Sequence, residues 1–128
     1  KKIDLHGGGL SKRSFIYIDD ASAATYMISI KGKVGNTYHI STNKIISIKK
    51  LVNIISKLTK TNFHKLVRVT SDRIGKDDSY NLSSKKIRNE LKWRPKTKLN
   101  EGLKKTLRWI DDNINFLNKE KVHYIHKK

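Results

Sequence analysis

The strongest hydrophobic periodicity in the chain covers residues 48–58. Ile48, Leu51, Val52, Ile55 and Leu58 recur there at helical spacing behind Ser47, a good N-cap. A second amphipathic stretch starts after Asn100, read as its cap, and puts Leu103, Leu107, Ile110, Ile114 and Leu117 on one side. Ala23, Ala24, Met27 and Ile30 share one face of a helix predicted over about 21–30. Asp19 and Asp20 offer a cap at its start, and Gly32 and Gly35 punctuate its end. A shorter helix behind Ser83 or Ser84 carries Ile87 and Leu91 and stops at Trp93 and Pro95, because proline biases Arg94 away from helical dihedrals. Phe15–Ile18, Thr37–Ile40 and Leu66–Val69 are short and β-rich, and read as strands. Residues 71–79 are polar and irregular, as a binding loop is.

Strands alternating with helices give an α/β class. Three short strands make a poor sheet by themselves. These elements are therefore expected to complete a sheet begun by residues outside this chain. The 128 residues suit one modest domain, expected over 1–117, followed by a basic tail over 118–128 that lacks helical spacing.

Composition narrows the function classes. The chain has no cysteine, which excludes disulfides and thiolate metal sites and is compatible with a reducing cytoplasm, the expected location. No apolar run approaches the roughly 20 residues that span a bilayer. The segment from Lys1 to Gly9 has no signal-like apolar core, and the sole methionine is Met27, so the chain reads as the interior of a longer gene product. The net charge of +18 invites a nucleic-acid reading. Against it, the 23 lysines far outnumber the 6 arginines, and the cations are spread over every segment. Nucleic-acid readers favour arginine forks and aromatic stacking platforms. An anionic small molecule accounts for the charge with fewer assumptions, and a free-standing basic module for nucleic acid or another polyanion is the alternative.

Familiar catalytic constellations are absent from the sequence. Gly7–Gly9 lacks the full dinucleotide fingerprint, so no cofactor site is read in the chain. Tyr124 and Lys128 match a Tyr-x-x-x-Lys spacing, but they lie in the tail. His123 and His126 have no third ligand nearby, and no metal site is read. What remains is a candidate anion site. Arg13 stands just before a predicted strand, and Arg73 and Lys76 stand in the irregular loop. Two guanidinium forks and an ammonium suit a pyrophosphate. The competing reading pairs the arginines with Asp19, Asp20 or Asp72 on the surface, and spacing alone leaves both open.

Three segments in fixed order bear on that choice: Arg13-Ser-Phe-Ile-Tyr-Ile-Asp-Asp20, Asp72-Arg-Ile-Gly-Lys-Asp77 with Tyr80, and Glu90-Leu-Lys-Trp-Arg-Pro95 leading to Leu99-Asn-Glu-Gly-Leu-Lys-Lys-Thr-Leu-Arg-Trp109. Together they resemble the C-terminal part of extended short-chain dehydrogenase/reductases of the nucleotide-sugar epimerase/dehydratase family, of the dTDP-glucose 4,6-dehydratase type. The resemblance runs from about Leu5 to Asn113. It implies a C-terminal substrate-binding lobe: an incomplete Rossmann-type sheet with a small helical lobe. It implies that Arg13 and Arg73 contact the nucleotide diphosphate, that Lys76 contacts substrate, that Ser47 aligns with a nucleotide-contacting position, and that Tyr80 lies near the sugar. Trp93 and Trp109 are then packing anchors. NAD or NADP would serve the intact enzyme, none being bound by this chain alone. The catalytic side and the dinucleotide loop would belong to an absent N-terminal part, with room for a homodimer of the intact enzyme, and these residues alone would turn over nothing. The chain departs from the family pattern at Ile74 (usually Pro), Lys92 (usually Gly), Ser83 (commonly Asp) and His39 (often Asn).

Overall fold

A computed structural model describes residues 2–120. Strand β1 (Ile3–His6) runs into a tight turn at Gly7–Gly9 and then into β2 (Lys12–Ser14). Helix α1 (Ile18–Lys31) follows, and a long irregular connection leads to β3 (Ile45–Ser47), which runs directly into α2 (Ile48–Leu58). A one-turn helix α3 (Phe63–Leu66) precedes β4 (Val67–Thr70), and an open loop leads to the two-residue β5 (Ser79–Tyr80). The short α4 (Lys85–Glu90), the long α5 (Leu99–Asp112) and a final turn α6 (Ile114–Leu117) complete the order.

The strands form two small sheets. In one, β1 and β4 pair in parallel from Ile3–Val67 to His6–Thr70. In the other, β2 lies between β3, antiparallel, and β5, parallel. The core is built from Ala24 of α1, Ile87 of α4 and Trp93, with Ile16, Met27, Ile28, Tyr38, Ile40 and Leu91 packed around it. Leu5 and Val67 are buried in the two-stranded sheet. Trp93 is locked further by donating its indole N–H to the carbonyl of Asp20 at 3.2 Å.

Several sequence expectations move by a turn or change kind. The residues 15–18 are not a strand: β-pairing ends at Ser14, Ile16 turns into the core, and the chain enters α1 at Ile18. Residues 37–40 have no strand partner among the described residues, and Tyr38 and Ile40 instead face the core. On α1, Ala24 and Met27 meet the core as expected, whereas Ile30 is exposed. Ser47 caps α2 as expected, accepting the N–H of Lys50 at 3.1 Å. Helix α5 begins one residue before Asn100, with Lys98 at the cap position, and it ends at Asp112 although the apolar spacing runs on to Leu117. The N–H of Asn113 turns back onto the carbonyls of Trp109 and Ile110, which closes that helix. Trp93 is 4% exposed and anchors the fold, but Trp109 is 54% exposed and does not. Gly102 is where α5 meets Tyr17: a Cβ there would stand 3.1 Å from the tyrosine ring. Tyr124, Lys128, His123, His126 and residues 121–128 of the predicted tail lie outside the described residues.

Candidate functional site

Strand β2 sets the geometry around Arg13. Its register places Arg13 opposite Ile46 of β3 and Tyr80 of β5, and Lys12 opposite Ser47 and Ser79. Side chains alternate along a strand, and cross-strand partners share a face. Arg13 and Tyr80 therefore stand side by side on one face of the sheet, whereas Ser47 stands on the other with its oxygen engaged as the helix cap. Tyr80 is 54% exposed, and its hydroxyl makes no hydrogen bond among the described residues.

The loop between β4 and β5 closes against Arg13. One guanidinium nitrogen, Nη2, donates to the carbonyl of Asp77 at 2.8 Å, and Nη1 donates to the carbonyl of Lys12 at 2.7 Å. The Lys12 N–H also donates to the carbonyl of Asp78 at 2.8 Å. A guanidinium carries five N–H donors, so Arg13 is held in place with donors to spare. The loop's other cations are organised by Asp72. Its carboxylate accepts Lys76 Nζ at 2.5 and 2.7 Å and the backbone N–H of Arg73 at 2.9 Å. These bonds, with the charges of Lys76 and His6 behind them, hold the Asp72 carboxyl below its ordinary value against a smaller opposing effect of desolvation. Asp72 also covers Gly7, whose φ of +56° suits glycine and where a Cβ would collide with the carboxylate. The Arg73 guanidinium makes no hydrogen bond or ion pair among the described residues and is exposed.

Arg13, Tyr80 and the loop bearing Arg73 and Lys76 are thus brought together, while Ser47 is turned away. The pairing of Arg13 or Arg73 with Asp19, Asp20 or Asp72 side chains, left open by spacing, does not form. Asp20 is buried and satisfied elsewhere: Oδ1 accepts Lys96 N–H at 3.0 Å and Oδ2 accepts Thr97 N–H at 2.8 Å. Sequence reading missed the organising part of Asp72. Its four-residue spacing from Lys76 is an ion-pair signal on helices, and in an irregular loop that spacing predicts nothing. No group of three or more metal-ligating side chains occurs among the described residues, nor is any helix there long and apolar enough to cross a membrane.

A cavity of about 620 Å³ lies elsewhere on the molecule, and Arg13, Arg73, Lys76 and Tyr80 do not line it. It is bounded by β3, α2 and the strap at residues 95–100, with Arg88 of α4 also lining it.

The chain belongs to the GDP-mannose 4,6 dehydratase family, whose profile matches residues 1–106, and its α/β architecture is that of the extended short-chain dehydrogenase/reductases. A human relative, dTDP-D-glucose 4,6-dehydratase, is 36% identical over 128 residues, covering 95% of this chain and 36% of its own length. The crystal structure of DesIV, a dTDP-glucose 4,6-dehydratase from Streptomyces venezuelae with NAD bound, superposes with a TM-score of 0.84 at 29% identity, covering 90% of this chain and 35% of that one. A UDP-glucose 4-epimerase from Thermotoga maritima shares the fold, with a TM-score of 0.81 at 24% identity over 89% of this chain and 36% of its own. The chain spans about a third of the length of such relatives.

The Gly-rich turn after β1 leads into β2, not into a helix whose N-terminus would receive a pyrophosphate.

Proposed function

We propose that residues 1–117 are the nucleotide-sugar-binding part of an NAD(P)-dependent sugar 4,6-dehydratase or epimerase, and that Arg13, Arg73 and Lys76 hold the substrate diphosphate. The reading rests on one observation above others: Arg13 donates to the carbonyl of Asp77, in the same loop that carries Arg73 and Lys76. Two segments about sixty residues apart are thereby joined at the cations that a diphosphate needs. Lys76 enters as a point charge shared with Asp72, and the exposed Arg73 fork supplies the bidentate contact. Tyr80, beside Arg13 on the sheet, borders the sugar. The nicotinamide chemistry is assigned to residues other than Arg13, Arg73, Lys76 and Tyr80, because the Gly-rich turn after β1 does not open a helix. Its substrate is then oxidised transiently at a sugar carbon by the cofactor, and this chain supplies orientation and charge.

Calorimetric titration of the 128-residue chain with a nucleoside diphosphate tests the reading. Saturable binding that falls about tenfold or more in Arg13→Ala and in Arg73→Ala supports it, and the chain should give no keto-sugar product from a nucleotide sugar with NAD. The free-standing polyanion module predicts the reverse pattern: tight binding of arbitrary duplex DNA with a steep salt dependence, and indifference to those two substitutions.

A further inference from the structure

The cavity between β3, α2 and the strap at 95–100 is unlike the Arg13 loop in its chemistry. Its lining includes the apolar side chains of Phe15, Ile46, Ile54, Pro95 and Leu99. Lys44, Lys50, Arg88, Lys96 and Lys98 also line it, and no aspartate or glutamate does. We propose that this cavity is a second binding site, separate from the diphosphate loop, for a small organic anion with an apolar body, such as an aryl or alkyl phosphate, sulfonate or carboxylate.

Size, shape and charge each point the same way. A volume of about 620 Å³ lies within the range of small-molecule sites. The apolar lining rewards burial of a hydrocarbon or ring, which a bare inorganic anion does not offer. The five cations reward a negative group, which a neutral hydrophobe lacks, and the apolar wall beside them lowers the local dielectric and strengthens that attraction.

The walls are also built to hold their shape. Arg88 Nε donates to Ser84 Oγ at 2.9 Å and Nη2 reaches the carbonyl of Ser41 at 3.4 Å, so the guanidinium is oriented before any ligand arrives. Ser84 is itself fixed by donating to the same Ser41 carbonyl at 3.0 Å. Behind the strap, the buried Asp20 carboxylate, which does not itself line the cavity, accepts the backbone N–H groups of Lys96 and Thr97 and so fixes the strap. Lys50 and Ile54 are four residues apart on α2, which presents a cation and an apolar side chain on one face. Pre-oriented donors lose little freedom on binding.

Nuclear magnetic resonance titration of the 128-residue chain tests the proposal with three probes: 1-naphthyl phosphate, 1-naphthol and inorganic phosphate. The expected result is saturable binding of naphthyl phosphate at least tenfold tighter than either of the others, with amide shifts clustered at residues 42–46 and 96–100. The doubly substituted Lys44→Glu, Lys98→Glu chain should lose tenfold or more of that affinity while keeping its amide spectrum and its nucleoside-diphosphate binding. Where that double variant does not fold, Lys44→Gln alone should weaken naphthyl phosphate by several-fold. Shifts confined to residues 71–80, displacement of the probe by a nucleoside diphosphate, naphthol binding as tightly as its phosphate, or no saturable binding each overturn the proposal. The double variant reads the cavity directly, so failure of the diphosphate reading and failure of this one give different results.

Discussion

Asp20 and Thr97 are seventy-seven positions apart and meet at 2.8 Å, the carboxylate accepting the backbone N–H. With Lys96 on the other oxygen and Trp93 donating to the Asp20 carbonyl, the first turn of α1 grips the whole strap that leads into α5. The predicted N-cap is therefore a cap of a different kind: it closes a distant piece of backbone and leaves its own helix start to Tyr17. Removing the acceptor leaves two strap N–H groups without partners. Asp20→Ala should lower stability by about 1–3 kcal/mol, read as a shift of the urea midpoint at constant slope.

The same contact makes stability depend on acid. Burial pushes the Asp20 carboxyl up, but the Lys96 and Thr97 N–H bonds and the Lys105 charge outweigh it and hold the group below its ordinary value. A carboxyl lowered in the folded state adds stability that is fully present above the unfolded value of about 3.9 and is lost as pH falls through the folded value. Urea midpoints measured from pH 6 downward should drop below about pH 4. In Asp20→Asn that component of the fall should be missing, and an equal fall in both proteins would refute its assignment to Asp20.

Lys92 lies at φ +57°, just past the end of α4. Left-handed backbone costs a side-chain-bearing residue about 1–2 kcal/mol, part of which glycine gives back through its greater freedom when unfolded. Lys92→Gly should raise stability by about 0.5–1 kcal/mol by urea titration, and Lys92→Val should lower it.

Gly7 and Gly8 make a matched pair. Both have positive φ, +56° and +65°, yet a Cβ on Gly8 meets nothing within 4 Å whereas one on Gly7 runs into the Asp72 carboxylate. Gly8→Ala should cost about 1 kcal/mol from backbone strain alone. Gly7→Ala should cost more and also shift the amide resonances of residues 71–78. Identical effects from the two substitutions would show that Asp72 does not rest on Gly7.

Arginine at position 13 donates to two carbonyls, of Lys12 and Asp77, and in the proposed role also grips a diphosphate. A lysine has three donors on one point and no fork. Arg13→Lys should weaken nucleoside-diphosphate binding by about tenfold, equivalent to roughly 1.4 kcal/mol, and an unchanged dissociation constant by calorimetry would remove Arg13 from the site.

Much of the chain was legible because local chemistry decided it. Ser47 and the apolar stripe behind it specify α2 without outside help, and the irregular loop before Tyr80 announces itself by its polar run. The strand expected at 66–69 begins one residue later, at Val67, because Leu66 still belongs to the turn of α3. The failures are those of partners. Phe15–Ile18 and Thr37–Ile40 have β-rich composition, but a strand exists only where another strand meets it, and here Ile16, Tyr38 and Ile40 find the core instead. Residue type and position drew attention to Arg13, Arg73 and Lys76, and family likeness gave them their expected roles. It said nothing of Asp72, which gathers the loop, nor of Arg88, which on sequence alone is one more cation on a short helix.

The segments 7–11 and 71–78 each pass from one sheet to the other, the first from β1 to β2 and the second from β4 to β5. They are in contact where Asp72 lies over Gly7. A guest gripping either crossing therefore pulls on both, so that its arrival would be felt across the protein as a stiffening of a two-plate joint, slowing amide exchange in strands it never touches.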